Sequence, residues 1–141
     1  MSAEPRAFVD TNILVYAHDT TAGEKRDAAA AIVTELWESR RGCLSVQVLQ
    51  ELYVTLTRKL PKPLGSQRAV GVLEDFAQWR VHAPAADDVV AAAWLQERFT
   101  LSFWDAMILR SATELGCGIL YSEDLNAGQR YEGVLVVDPF A

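Results

Sequence analysis

The segment Ala7-Phe8-Val9-Asp10-Thr11-Asn12-Ile13-Leu14-Val15-Tyr16-Ala17-His18-Asp19 (AFVDTNILVYAHD, residues 7–19) sets one carboxylate between two apolar runs. Ala7 to Val9 read as the end of a buried strand, and the run from Ile13 to Tyr16 as part of a short helix. An ionised carboxylate between them is costly to bury unless something compensates it. Two explanations are open from this segment alone. Asp10 can cap the helix that begins near Thr11 or Asn12, or it can belong to a charged site at a strand end.

The rest of the chain continues the alternation of strand and helix. After the strand at residues 6–10 and the helix at 12–17, Glu24 to Arg40 carries strong helix formers, with Ala28, Ile32, Leu36 and Trp37 on one face. Gly42 is expected to end that helix. Cys43 to Ser45 is a brief buried strand, and Ser45 then caps a helix that runs to Leu60 and stops at Pro61-Lys62-Pro63. Further helices are expected over 66–79, over the Ala-rich stretch ending at Phe99, and from Ser102 to Gly116; strands are expected at 80–82, 118–122 and 134–138. Strands separated by helices imply a mostly parallel sheet with helices on both faces, a three-layer α/β/α domain over residues 1–141. Such sheets bind ligands at the carboxyl ends of their strands. Asp10 ends the first strand and Ser122-Glu123-Asp124 follow the strand that begins at Gly118, so both fall on one sheet edge.

At 141 residues, half of them apolar, the chain is long enough for a real hydrophobic core. No apolar run approaches the ~20 residues of a membrane span. The N-terminus lacks a basic region followed by an apolar one, so a cytoplasmic protein is expected. Cys43 and Cys117 are too few and too isolated in the sequence to suggest a disulfide scaffold or a zinc site. A net charge of −6 argues against nucleic-acid binding by a broad basic face. It leaves room for an enzyme that approaches nucleic acid through bound cations, which invert the local field.

Four carboxylates occupy apolar or end-of-element positions: Asp10, Glu51, Asp105 and Asp124. Each has a structural explanation. Glu51 can be a solvated helix residue, Asp105 completes the capping-box pattern Ser102-Phe103-Trp104-Asp105, and Asp124 suits a turn. Taken together they also suit one pocket at a sheet edge. Four carboxylates there repel unless cations sit between them, and oxygen ligands without His or Cys select Mg²⁺ or Mn²⁺. Such a site supports phosphodiester cleavage by metal-activated water.

The segments FVDTNILVYA (8–17), QVLQELYVTLTRK (47–59), LSFWDAMILRSA (101–112) and LYSEDLNAG (120–128), in this order, resemble PIN-domain ribonucleases, in particular VapC-type toxins of toxin–antitoxin pairs. The resemblance implies a compact α/β/α fold and an RNA endonuclease that depends on Mg²⁺ or Mn²⁺, with an antitoxin partner and a homodimeric state. Asp10, Glu51, Asp105 and Asp124 match the family's acids, and Asn12 and Ser122 its neutral polar positions. Asp124 is favoured over Glu123 because a hydroxyl residue precedes the family's acid by two positions; Glu123 stays open as an assistant.

Arg40, Arg41, Arg58, Lys59 and Lys62 are the main basic concentrations; Arg58, Lys59 and Lys62 are candidates for RNA phosphate contacts, or else are solvated helix-end cations. Trp37, Trp79, Trp94 and Trp104 are expected in the core or an interface, with base stacking open to Trp104. Ala30, Val33 and Trp37 share a helix face suited to an amphipathic partner segment. Two further functions stay open: a non-catalytic binding module whose acids are caps and turn residues, and a phosphoryl-transfer hydrolase with Asp10 as nucleophile. The latter usually needs a second Asp where this chain has Asn12.

Overall fold

Apolar side chains on both faces put Arg6–Val9 (β1) in the middle of the sheet, where Ala7, Phe8 and Val9 are fully buried. In the computed structural model, which describes residues 4–141, Thr11–His18 (α1) and Glu24–Ser39 (α2) lead to Gly42–Ser45 (β2). Val46–Val54 (α3) continues into a wider π-helical turn, Thr55–Lys59, and Ser66–Phe76 (α4) leads to Arg80–His82 (β3). Ala86–Phe99 (α5) and Phe103–Glu114 (α6) precede Cys117–Tyr121 (β4), Arg130–Tyr131 (β5) and Val134–Val137 (β6).

The sheet order is β3-β2-β1-β4-β6-β5, parallel throughout except for the β5–β6 pair. The expected three-layer architecture is therefore the one observed. The chain moves from β1 to β2 to β3, then crosses back over β1 to β4. Right-handed crossovers in opposite directions put α1–α4 on one face and α5–α6 on the other, in accord with the packing of α1 on α2 and α3, and of α6 on β2, β4 and β6. The direction of travel reverses between β1 and β4, which makes their carboxyl ends the crevice where such sheets take ligands.

One local expectation is corrected. Arg40, in the left-handed conformation at φ 58°, ends α2 in place of Gly42. Gly42 is instead the first residue of β2, and a Cβ there would lie 2.6 Å from the Trp79 ring. Its missing side chain makes room for an aromatic cluster in which Trp79 meets Trp37 and Phe76 edge-on. Of the two places expected for the tryptophans, core or interface, Trp94 and Trp104 do not take the core: both are exposed. The two-residue β5, too short to show a period, had no sequence signal.

Behind the sheet, Asp88 is a buried carboxylate in a structural network. It accepts from Ala85 N at the start of α5, from Arg110 Nε at 2.9 Å, and faces His82 Nε2 at 3.3 Å, while His82 Nδ1 meets Ser111 Oγ. These partners hold its carboxyl below the ordinary range, the Ala85 amide foremost. The network joins β3, α5 and α6, consistent with a structural role for His82.

Gly42→Ala should destabilise the fold by about 1–3 kcal/mol, because the added methyl would force the Trp79 ring out of its edge-on contacts with Trp37 and Phe76. Urea unfolding monitored by tryptophan fluorescence checks it; an unchanged midpoint would mean that the cluster yields.

Candidate metal centre

Three acids converge at the β1/β4 crevice. Asp10 leaves the end of β1, Asp124 lies in the loop after β4, and Asp105 stands in the first turn of α6. One carboxylate oxygen from each lies within 4.8 Å of the others. They line a cavity of about 540 Å³ together with Thr11, Asn12, Glu51, Lys59 and Trp104, among others.

Asp10 is 5% exposed, and both of its oxygens have protein donors. Thr11 N donates to Oδ1 at 2.7 Å and Ser122 Oγ to Oδ2 at 2.8 Å. The capping role is thus real but partial, since only one oxygen serves the helix. Ser122 is itself buried, and its hydroxyl also accepts from Asp124 N at 3.1 Å. One hydroxyl therefore orients Asp10 and the backbone that carries Asp124. Asn12 Nδ2 donates to Asp124 Oδ2 at 3.0 Å, which ties the third acid to α1.

Ser102 Oγ accepts from Asp105 N at 3.1 Å, one half of a capping box. The Asp105 carboxylate turns instead toward Asp10 and Asp124. The capping explanation therefore covers Ser102 and leaves the Asp105 side chain unaccounted for.

Glu51 lies on the exposed side of α3 and lines the same cavity, but stands outside the three-oxygen set. Thr11 Oγ1 donates to its Oε1 at 2.7 Å. Thr11 is a site residue that sequence reasoning missed, although its hydroxyl sits between Asp10 and Asn12. Glu123 points elsewhere: Lys25 Nζ lies 2.6 Å from one carboxylate oxygen, and Tyr16 OH donates to the other at 2.8 Å. The Lys25 ammonium holds its carboxyl below the ordinary range. Lys25 gave no sequence signal, because its partner is 98 residues away. Of the basic candidates, Lys59 lines the cavity; Arg58 and Lys62 are exposed and lie outside its lining. Arg41 is engaged by Glu35 and Glu4. His18 bonds the Leu14 carbonyl and packs on Phe76.

Burial raises the Asp10 carboxyl from the ordinary 3.8 to about 7; the Ser122 and Thr11 bonds oppose this, and the charges of Asp124 and Asp105 add to it. Asp105 is also raised, by burial first and by Asp124 in addition. A cation among the three would reverse this electrostatic cost. The donor set fits one, being entirely oxygen and thus suited to a hard divalent ion. Asn12 Oδ1, buried beside the acids without a hydrogen-bond partner, offers an acceptor for a cation's water ligand.

The family model of the PIN domain matches residues 7–132. Among solved structures, the fold is similar to a toxin–antitoxin complex from Klebsiella pneumoniae, with a TM-score of 0.71 and 22% identity, covering 94% of this chain and 97% of that one. It is similar to VapC20 of Mycobacterium tuberculosis, described as a sarcin–ricin loop cleaving toxin, with a TM-score of 0.62 and 23% identity over 84% of this chain and 89% of that one. DNA-bound VapBC from Salmonella typhimurium gives a TM-score of 0.66 at 17% identity, over 96% and 99%. At these identities the likeness is one of fold. No curated protein matches the sequence.

Between the unfolded and folded values of Asp10, the folded state keeps a proton that the unfolded state has lost. Stability from this group is therefore complete below pH 4 and is lost as pH rises through about 7. In EDTA, wild type should lose on the order of 2 kcal/mol more than Asp10→Asn between pH 5 and pH 8. Denaturant melts at the two pH values check this, and parallel losses in both proteins would contradict the burial of an ionisable Asp10.

Proposed function

Because the chain belongs to the PIN domain family, we propose that it is a divalent-cation-dependent endoribonuclease acting as the toxin of a toxin–antitoxin pair. The observation that carries the proposal is the convergence of Asp10, Asp105 and Asp124 from three separate elements onto one point, with a cavity open beside it. In this assignment these three acids hold Mg²⁺ or Mn²⁺, and Glu51 is the fourth acid of the site. A cation held there supplies charge neutralisation at the phosphodiester and a water acidic enough to attack it at neutral pH.

The chain's own groups bind and orient. Ser122 and the Thr11 amide fix Asp10, Asn12 fixes Asp124, and Thr11 Oγ1 fixes Glu51. Lys59 takes a phosphate in the cavity, with Arg58 and Lys62 further along the RNA; such contacts give affinity without sequence choice. No side-chain nucleophile is required, and the buried, doubly bonded Asp10 is poorly placed to be one.

Residues 1–141 then act as one nuclease domain. The toxin role draws support from the solved relatives, which include a toxin described as cleaving the sarcin–ricin loop and toxin–antitoxin complexes. An antitoxin is the expected partner, and α2, with Ala30, Val33 and the half-exposed Trp37, is the face we assign to it. A homodimer acting in the cytoplasm completes the proposal. Among the described residues no helix is long and apolar enough to cross a membrane.

With antitoxin-free protein, Asp105→Asn should lower RNA cleavage about a hundredfold or more while circular dichroism stays unchanged. Full cleavage by a folded Asp105→Asn protein overturns the role assignment. Mn²⁺ at about 100 times its Kd should add roughly 2.7 kcal/mol to wild-type stability. The same concentration should stabilise Asp10→Asn much less; equal thermal shifts would place the ion elsewhere.

A further inference from the structure

We propose that Trp104 is a base-stacking platform, on which an unpaired nucleotide flanking the cleaved phosphate lies when RNA occupies the site. This rests on the nuclease function proposed above and adds a specificity-determining residue to it.

The cavity has a wall that the acids do not explain. On α3, Gln47, Gln50 and Val54 line it at helical spacing around Glu51. On α6, Trp104 lines it beside Asp105, and Ile108 lies one turn on. Trp104 is 63% exposed, so its indole contributes little to the core. Its position is nonetheless fixed. Gln47 Nε2 donates to Trp104 O at 3.4 Å, Ser102 caps its turn, and the Phe103 ring meets the indole edge-on at 5.1 Å. The backbone is tied and the ring oriented, while the indole stays open to solvent.

Adjacency to Asp105 decides what can reach it. A phosphate held at the Asp10–Asp105–Asp124 cluster brings its flanking nucleotide past the next side chain on α6. A base has an aromatic face to offer there, and a ribose or phosphate does not. Exposed Gln50 adds an amide that donates and accepts, suited to a base edge. The net charge of −6 weakens general attraction to phosphate, so contacts indifferent to charge must carry more of the affinity. A duplex keeps its base faces stacked on each other, so the platform favours unpaired RNA.

The test is cleavage of single-stranded RNA oligonucleotides in Mn²⁺ by wild type, Trp104→Ala and Trp104→Phe. Trp104→Ala should lower kcat/KM about 10- to 100-fold, and Trp104→Phe should restore most of it. An abasic ribose at one of the two positions flanking the cut should lower wild-type cleavage by a similar factor and leave Trp104→Ala no worse. An equal loss by Trp104→Ala on intact and abasic RNA makes the residue structural and overturns the proposal. Conversion of a dimer to a monomer by Trp104→Ala overturns it in favour of a subunit contact. If wild type cuts RNA and Trp104→Ala matches it, the platform alone falls; if wild type cuts no RNA, the nuclease function falls with it.

Discussion

A carboxylate buried at the point where the sheet reverses direction holds the site together. Asp10 has one oxygen on the Thr11 amide and the other on the Ser122 hydroxyl, a bond that spans 112 residues. The hydroxyl that donates to Asp10 accepts from Asp124 N, and Asn12 reaches from α1 to the Asp124 carboxylate. The two strand ends are therefore fixed relative to each other through the very groups that present the acids. Removing water from Asp10 makes its ionised form costly, which is why its carboxyl stands near 7. A divalent cation is the most direct relief for that cost.

Around this point the three layers supply different things. The sheet brings Asp10 and Asp124 together because β1 and β4 are neighbours in parallel register. The α5–α6 layer adds Asp105 and Trp104, and the opposite layer adds Glu51, Gln47 and Lys59 through α3 and its π-helical turn. The cavity lies where the ends of the two helical layers face each other beyond the strands. Lys25 braces the same edge: it pairs with Glu123 and lies over the Tyr16 and Phe140 rings, fixing the residue before Asp124. Glu123 is thereby engaged by Lys25 and Tyr16 and stands outside the three-acid cluster.

The fold was legible wherever a local signal sufficed. Ser45 and Ser102 announced helix starts, and each caps its helix as expected. The apolar runs at β1, β4 and β6 read as buried strands because both of their faces are covered. The end of α2 misled, because glycine is the usual left-handed residue and here Arg40 takes that conformation. Gly42 answers a different demand, the approach of the Trp79 ring from the turn between α4 and β3, 37 residues on. For Trp94 and Trp104 the sequence left core and interface open, since an aromatic at helical spacing looks the same whether a neighbouring element covers it or not; both are exposed.

By itself the sequence determined the order of the helices and of every strand but β5, the edge of the sheet on which Asp10 and Asp124 fall, and the family resemblance. These depend on periodicity, caps and short motifs, all set within a few residues. Only the tertiary structure decided which acids meet. It brought Asp105 into contact range and turned its carboxylate from the cap to the cluster. It left Glu51 at the rim on Thr11, and it gave Glu123 to Lys25. Those choices depend on crossover direction and on partners about a hundred residues apart, and no local pattern encodes a contact of that range.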